Sequence, residues 1–384
     1  ALKEDDLEKA GEVIRQTSML PSVCGRVCPQ ERQCEGKCVL GIKGEAIAIG
    51  ALERYVGDNT SAKKVEIIPS GKKVAIVGSG CAGITAAADL RKAGHDVTIF
   101  EALHKFGGLL RYGIPPFRLP RKVLDREITN LQEMGVKFEK NVIVGKSITL
   151  KQLKEDGFDA IFICSGAGLP KMMNIPGENL NGVFSANEFL TRVNLMGAND
   201  EDNATPLKVG KSVAVIGGGN VAMDAARSAK FYGVKNVTVY YRRDFEDMTA
   251  TKVEIKEAKE EGVEFEIFRS PVEITEEGVV FARTQSVIIE DGSKKLEVIP
   301  YSQELVKCDQ VIIAVSQLPQ NNIVATSPEL ETKYGLLITN DSGATTKQGV
   351  FACGDVVSGA KTVIHAVVAA KKVAMSIDEY CKSV

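Results

Sequence analysis

Short runs of consecutive apolar residues alternate with longer stretches of helical periodicity through most of the chain. The pattern begins at KKVAIVGSG, where VAIV reads as a buried strand, and restarts at KSVAVIGGG. Ahead of it, residues 1–60 read as helical around a cysteine-rich loop. Two polar, breaker-rich stretches read as connections, one from Gly57 to Lys73 and one from Gly197 to Gly210. Between Glu273 and Val306 the pattern turns β-rich, with Asp291-Gly292 as a hairpin signal. After Tyr334 the chain returns to a strand, GVFACGD, and then to a helix.

The two βα stretches form an internal repeat. VAIVGSGCAG (Val74 to Gly83) matches VAVIGGGNVA (Val213 to Ala222), VTIF (Val97 to Phe100) matches VTVY (Val237 to Tyr240), and AIFICSG (Ala160 to Gly166) matches QVIIAVS (Gln310 to Ser316). Apolar strands alternating with helices predict parallel sheets. The expected fold class is α/β, with two dinucleotide-binding, Rossmann-like domains and a small helical segment in front. The expected boundaries are 1–65 for the helical segment, 66–200 with 326–384 for the first domain, and 201–325 for a second domain inserted in it.

With 384 residues, 44% hydrophobic and 26% charged, the chain has the composition of a globular protein. Its net charge of -2 gives no general attraction to nucleic acid or to anionic membranes. No apolar run approaches the ~20 residues of a membrane span, and ALKEDDLEKA has no signal-peptide stretch. The expected location is cytoplasmic, with neither nucleic acid nor membrane as partner.

Candidate chemistry starts at Gly78-x-Gly80-x-x-Gly83, between the strand VAIV and the helix ITAAADLRKAG. Such glycines allow a tight turn, close approach of the backbone to a pyrophosphate, and close helix–strand packing. The helix N-terminus offers free N–H groups to the phosphates. Glu101 ends the next strand, where a carboxylate can accept hydrogen bonds from a ribose. Gly107 and Gly108 follow in KFGGLLRYGIPPFRLP. Downstream, GVFACGDV followed by GAKTVIHAVVAAKKVA resembles the second flavin motif of two-dinucleotide-binding flavoproteins. That resemblance makes FAD the first ligand. It implies that Gly354 and Asp355 meet the ribityl chain and that Thr362 and Val363, at a helix N-terminus, face the isoalloxazine ring. The alternative for Asp355 is a helix cap.

The second loop, Gly217-x-Gly219-x-x-Ala222, follows VAVI and opens the helix VAMDAARSAK, with Asn220 just before it as a further candidate coenzyme contact. Alanine is an accepted third residue. The counterpart of Glu101 is Tyr241, followed by Arg242 and Arg243. An acidic residue there would repel the 2'-phosphate of NADP, whereas arginine pairs with it. The site therefore reads as NADPH-selective, with a solvated charge patch as the alternative.

Four cysteines, Cys24, Cys28, Cys34 and Cys38, have the spacing C-x3-C-x5-C-x3-C, and five more are scattered. The spacing alone leaves zinc and iron–sulfur ligation open. The flavoprotein context favours iron–sulfur, because ALHKFGGLLRYGIP lacks the cysteine pair through which disulfide reductases pass electrons. CGRVCPQERQCEGKCV, AIGALERYV, VGSGCAGITAAADLRKAGHDVTIFE, GGLLRYGIPPFRLP, IGGGNVAMDAARSAK, YYRRDFEDM and GVFACGD together resemble the glutamate synthase small-subunit family. That family includes the large subunit of ferredoxin:NADP transhydrogenase and the N-terminal half of dihydropyrimidine dehydrogenase.

The resemblance implies two [4Fe–4S] clusters, with Cys28, Cys34 and the non-cysteine ligand Glu53 on one and Cys38 on the other. Cys24 matches no family ligand and reads as a buried thiol. Relatives carry an upstream segment with further cysteines that this sequence does not include, so depleted clusters are expected. The implied activity is hydride transfer between NADPH and FAD, with single electrons leaving for a larger catalytic or ferredoxin-reducing subunit. No catalytic side chain is required for that hydride transfer. The rival reading is an FAD-binding relay or scaffold subunit with a structural zinc module and no turnover of its own. His95, His104 and His365 read as surface or packing residues, and KVEIKEAKEEGVEF as a solvated helix face.

Overall fold

The computed structural model describes residues 1–62, 66–198, 202–204, 206–207, 210–289, 292–320 and 322–384. Asp291 of the expected hairpin turn and parts of both polar connections lie outside these residues. Among the described residues, no helix is long and apolar enough to cross a membrane.

The chain divides into two compact units. The first comprises Ala1–Arg111, Pro116–Leu169 and Gln317–Val384, and the second comprises Tyr112–Pro115 and Pro170–Ser316. The inserted unit thus begins near Pro170 instead of residue 201 and ends at Ser316 instead of 325. The reason lies in strand Val183–Ser185 and helix Ala186–Asn194. The strand pairs with Gln310–Ile313, and Phe189 and Leu190 of the helix lie in the same core as Val213 and Val237. The expected 1–65 segment falls within the first unit.

In the first unit five strands run in the order Val350–Ala352, Ala160–Ile163, Lys73–Val77, Asp96–Glu101, Lys137–Lys140. Every pair is parallel. The earliest strand lies in the middle, and the chain leaves it in both directions, so its C-terminal end is a topological switch point, where α/β sheets bind ligands. Burial of apolar residues on both faces explains the unbroken run VAIV: Val74, Ala75 and Ile76 are fully buried.

The second unit repeats this design with Val183–Ser185, Gln310–Ile313, Ser212–Ile216, Asn236–Tyr241 and Glu264–Ile267. Side chains of Ser212–Ile216 alternate between two cores. Val213 and Val215 pack with Ala222, Ala225 and Ala229 of the helix, while Ala214 and Ile216 pack with Val279 and Phe281. The latter belong to an antiparallel group in which Gly278–Ile288 pairs with Arg269–Thr275, Lys294–Val298 and Glu304–Lys307.

In front of the first sheet, helices Pro21–Val27 and Ile49–Asn59 cross closely. Gly57, expected to start a linker, is inside the second of these. A Cβ there would lie 2.6 Å from the Ser22 nitrogen, so the crossing requires glycine. Arg26 forks onto Asp58 at 2.8 and 2.7 Å across it.

Candidate functional site

The first glycine loop joins Lys73–Val77 to helix Cys81–Lys92. Gly78 has φ +114, and a Cβ on Gly83 would fall 2.0 Å from the Gly78 carbonyl oxygen. A Cβ on Gly80, by contrast, would meet nothing within 4 Å. The middle glycine therefore borders open space at a helix N-terminus, as a pyrophosphate cradle requires.

Glu101 is buried and reaches back to this loop. Its Oε2 accepts the Ser79 N–H at 3.1 Å and the Ser79 hydroxyl, and its Oε1 accepts the Leu103 N–H at 2.9 Å. A carboxylate has roughly four acceptor positions, so one stays open for a sugar hydroxyl. Ser79, which sequence reasoning passed over, also accepts the Gly107 N–H at 2.8 Å, and a Cβ on Gly108 would lie 3.1 Å from the Gly80 Cα. Its position between two glycines of the motif was the available signal.

The Gly354-Asp355 turn reaches the same place. Gly354 has φ +76, and a Cβ on it would sit 3.9 Å from that of Ala82. Asp355 accepts the Lys361 N–H at 3.1 Å, and burial pushes its carboxyl above the usual range. Thr362 caps helix Val363–Ser383, with its hydroxyl 2.6 Å from His365 Nδ1. Gln33 of the cysteine-rich segment donates to that hydroxyl at 3.1 Å, and helix Pro21–Val27 of the same segment contacts helix Val363–Ser383.

The four clustered cysteines divide. Cys24 is buried, and its thiol is pushed up, first by its hydrogen bond with Cys28 and then by burial. That same bond pulls the Cys28 thiol down. Glu53 is half-buried, with its carboxyl pushed by burial up to about 7, and its charge acts on Cys24, Cys28 and Cys34. Cys38 stands apart, its sulfur accepting the Ile47 N–H at 3.5 Å. Among the described residues no three His, Cys, Asp or Glu side chains converge on a metal-sized point. The expected ligands Cys28, Cys34 and Glu53 are thus not gathered around one point, although the Glu53 charge reaches both thiols, and Cys38 is separate from them.

The second glycine loop joins Ser212–Ile216 to helix Asn220–Phe231. Gly217 has φ +150, and a Cβ there would lie 2.4 Å from the Ala314 carbonyl oxygen. Gly219 caps the helix, and Asn220 Oδ1 accepts the Thr251 N–H at 2.9 Å. Arg242 is exposed and Arg243 half-buried at the end of strand Asn236–Tyr241. Their carbonyls accept the Thr284 hydroxyl at 2.7 Å and the Phe268 N–H at 3.4 Å, while among the described residues neither guanidinium forms an ion pair.

One surface reading is corrected. The acidic run is not a purely solvated face, because Glu254 is buried and Glu254, Glu257 and Glu261 all bind Arg227. His95 is a packing residue, completely buried between the Ser70 hydroxyl at 2.8 Å and the Asp378 carboxylate at 3.0 Å.

Each of the two parallel sheets thus opens on a glycine loop at a helix N-terminus. Residues 72–372 match the pyridine nucleotide-disulphide oxidoreductase family, and residues 1–65 match dihydropyrimidine dehydrogenase domain II, 4Fe-4S cluster. The glutamate synthase [NADPH] small chain of Halomonas elongata is 36% identical, over 99% of this chain and 84% of that one. The chain belongs to the glutamate synthase small-chain family. The NADP(+)-dependent formate dehydrogenase subunit beta of Moorella thermoacetica is 34% identical, over 100% of this chain and 57% of its own. FprA of Mycobacterium tuberculosis, in complex with NADPH, shares the fold with TM-score 0.69 at 21% identity, over 82% of this chain and 85% of its own.

Proposed function

We propose that this NAD(P)H oxidoreductase subunit transfers hydride between NADPH and FAD and passes single electrons through [4Fe–4S] clusters to a larger partner subunit. The observation that carries the reading is the meeting of the cysteine-rich segment with the start of helix Val363–Ser383, through the Gln33–Thr362 hydrogen bond and the contact of helix Pro21–Val27 with that helix. Thr362 and Val363 are the residues proposed to face the flavin ring, so the cysteine-rich segment and the flavin site share one helix terminus.

Bound FAD supplies the exchange between two-electron and one-electron chemistry, and bound clusters supply the one-electron path. The chain's own residues bind and orient. Gly78, Gly80 and Gly83 leave backbone N–H groups free for the FAD pyrophosphate, and Glu101 offers an acceptor to its ribose. Gly107 and Gly108 flank that loop, while Gly354 and Asp355 hold the ribityl chain. The positive end of the last helix favours negative charge placed against it. Gly217, Gly219 and Asn220 form the NADPH pyrophosphate site, with Arg242 and Arg243 on the 2'-phosphate. Cys28, Cys34 and Glu53 hold one cluster, and Cys38 contributes to the other. A larger partner fits relatives described as a small chain and as a subunit beta.

The test is cofactor analysis of the purified chain. FAD released on denaturation, bleaching of the flavin by NADPH without oxygen, and iron in place of zinc are expected. A chain that neither contains nor takes up FAD overturns the reading.

A further inference from the structure

We infer that Tyr241 is a positioning residue that latches the segment 242–251 over the second glycine loop and so sets Arg242 and Arg243 for the coenzyme's 2'-phosphate. The inference rests on the NADPH reading above. Tyr241 ends strand Asn236–Tyr241, where the first unit has Glu101 ending Asp96–Glu101. Both side chains turn back onto their own glycine loop by different chemistry. Glu101 does so through the Ser79 N–H and hydroxyl. The Tyr241 ring instead lies against Gly218, where a Cβ would come within 2.6 Å of its Cδ2 and Cε2.

The Tyr241 hydroxyl donates to the Asp247 carbonyl at 2.9 Å, which folds the following segment back. The return is completed by the Ala250 N–H donating to the Gly218 carbonyl at 3.0 Å and the Thr251 N–H donating to Asn220 Oδ1 at 2.9 Å. Thr249 Oγ1 comes 3.2 Å from where a Gly219 Cβ would stand, beside the helix N-terminus. Arg242 and Arg243 directly follow Tyr241 in this closed path. The phenol thus performs the loop-holding task of the first unit's carboxylate without a negative charge beside the 2'-phosphate. A loop held in its binding form loses less freedom when ligand arrives.

The experiment measures binding of 2',5'-ADP and 5'-ADP to the full chain by calorimetry, for wild type, Tyr241→Phe and Gly218→Ala. Flavin content of the first unit serves as the folding control. The wild type is expected to prefer 2',5'-ADP. Tyr241→Phe is expected to weaken 2',5'-ADP by roughly three- to tenfold, the worth of one neutral hydrogen bond, with a smaller loss on 5'-ADP. Gly218→Ala displaces the ring and is expected to act in the same direction. A wild type that binds both ligands equally overturns the NADPH reading. A wild type that discriminates, with Tyr241→Phe unchanged or weakened equally for both ligands, overturns the latch alone.

Discussion

Replacing Arg227 with methionine tests the most heavily loaded charge cluster in the coenzyme unit. Arg227 lies on helix Asn220–Phe231, whose N-terminus carries the second glycine loop, and is itself buried. Its Nη1 donates to Glu254 at 2.8 Å and Glu257 at 2.7 Å, while Nε and Nη2 donate to Glu261 at 3.0 and 2.7 Å. Burial opposes the guanidinium charge, yet the Glu261 hydrogen bonds and the three carboxylate charges hold its pKa above the usual value. The three pairs differ in worth. The side chains of Glu257 and Glu261 are 43% and 41% exposed, so each contributes only ~0.2–1 kcal/mol. That of Glu254 is 10% exposed, and breaking one side of such a buried pair costs ~3–5 kcal/mol. The single variant should therefore lose ~3–5 kcal/mol in denaturant unfolding. The double variant Arg227→Met/Glu254→Leu should recover most of that, because both members of the buried pair are then apolar. A single variant within ~1 kcal/mol of wild type would refute the reasoning and return the cluster to a solvated face.

Two further outcomes are expected. Changing Arg242 and Arg243 together to alanine should reduce the preference for NADPH over NADH, read from flavin reduction at varied coenzyme concentration, by roughly ten- to a hundredfold; an unchanged ratio would remove both from the 2'-phosphate site. Asp58 is held below the usual carboxylate range, chiefly by its hydrogen bonds from Arg26. A depressed folded pKa gives stability that is complete above the unfolded value of ~3.9 and lost as pH falls through the lower folded value. Acid unfolding should accordingly be shallower in Arg26→Leu over that window, and identical slopes would show that the pair carries none of the acid sensitivity.

Much of the architecture follows from local pattern. VAIVGSGCAG and VAVIGGGNVA specify strand, turn and helix wherever they occur, because burial on both sheet faces demands continuous apolar runs and the turn demands glycine. The repeat likewise predicts two similar sheets. Tertiary packing decided the rest. The short stretch Val183–Ser185 carries little periodicity, and only its pairing with Gln310–Ile313 assigns it to the second unit. The acidic helix looks solvated in sequence because Arg227, its partner, is 27 positions from Glu254. Tyr241 reads as a missing acid until its ring and hydroxyl meet Gly218 and Asp247. Gln33 meets Thr362 of the last helix only because long-range packing within the first unit brings the cysteine-rich segment onto that helix. Periodicity and glycine placement are local and survive in one dimension, whereas a buried charge or a hydrogen bond finds its partner only after the chain has folded.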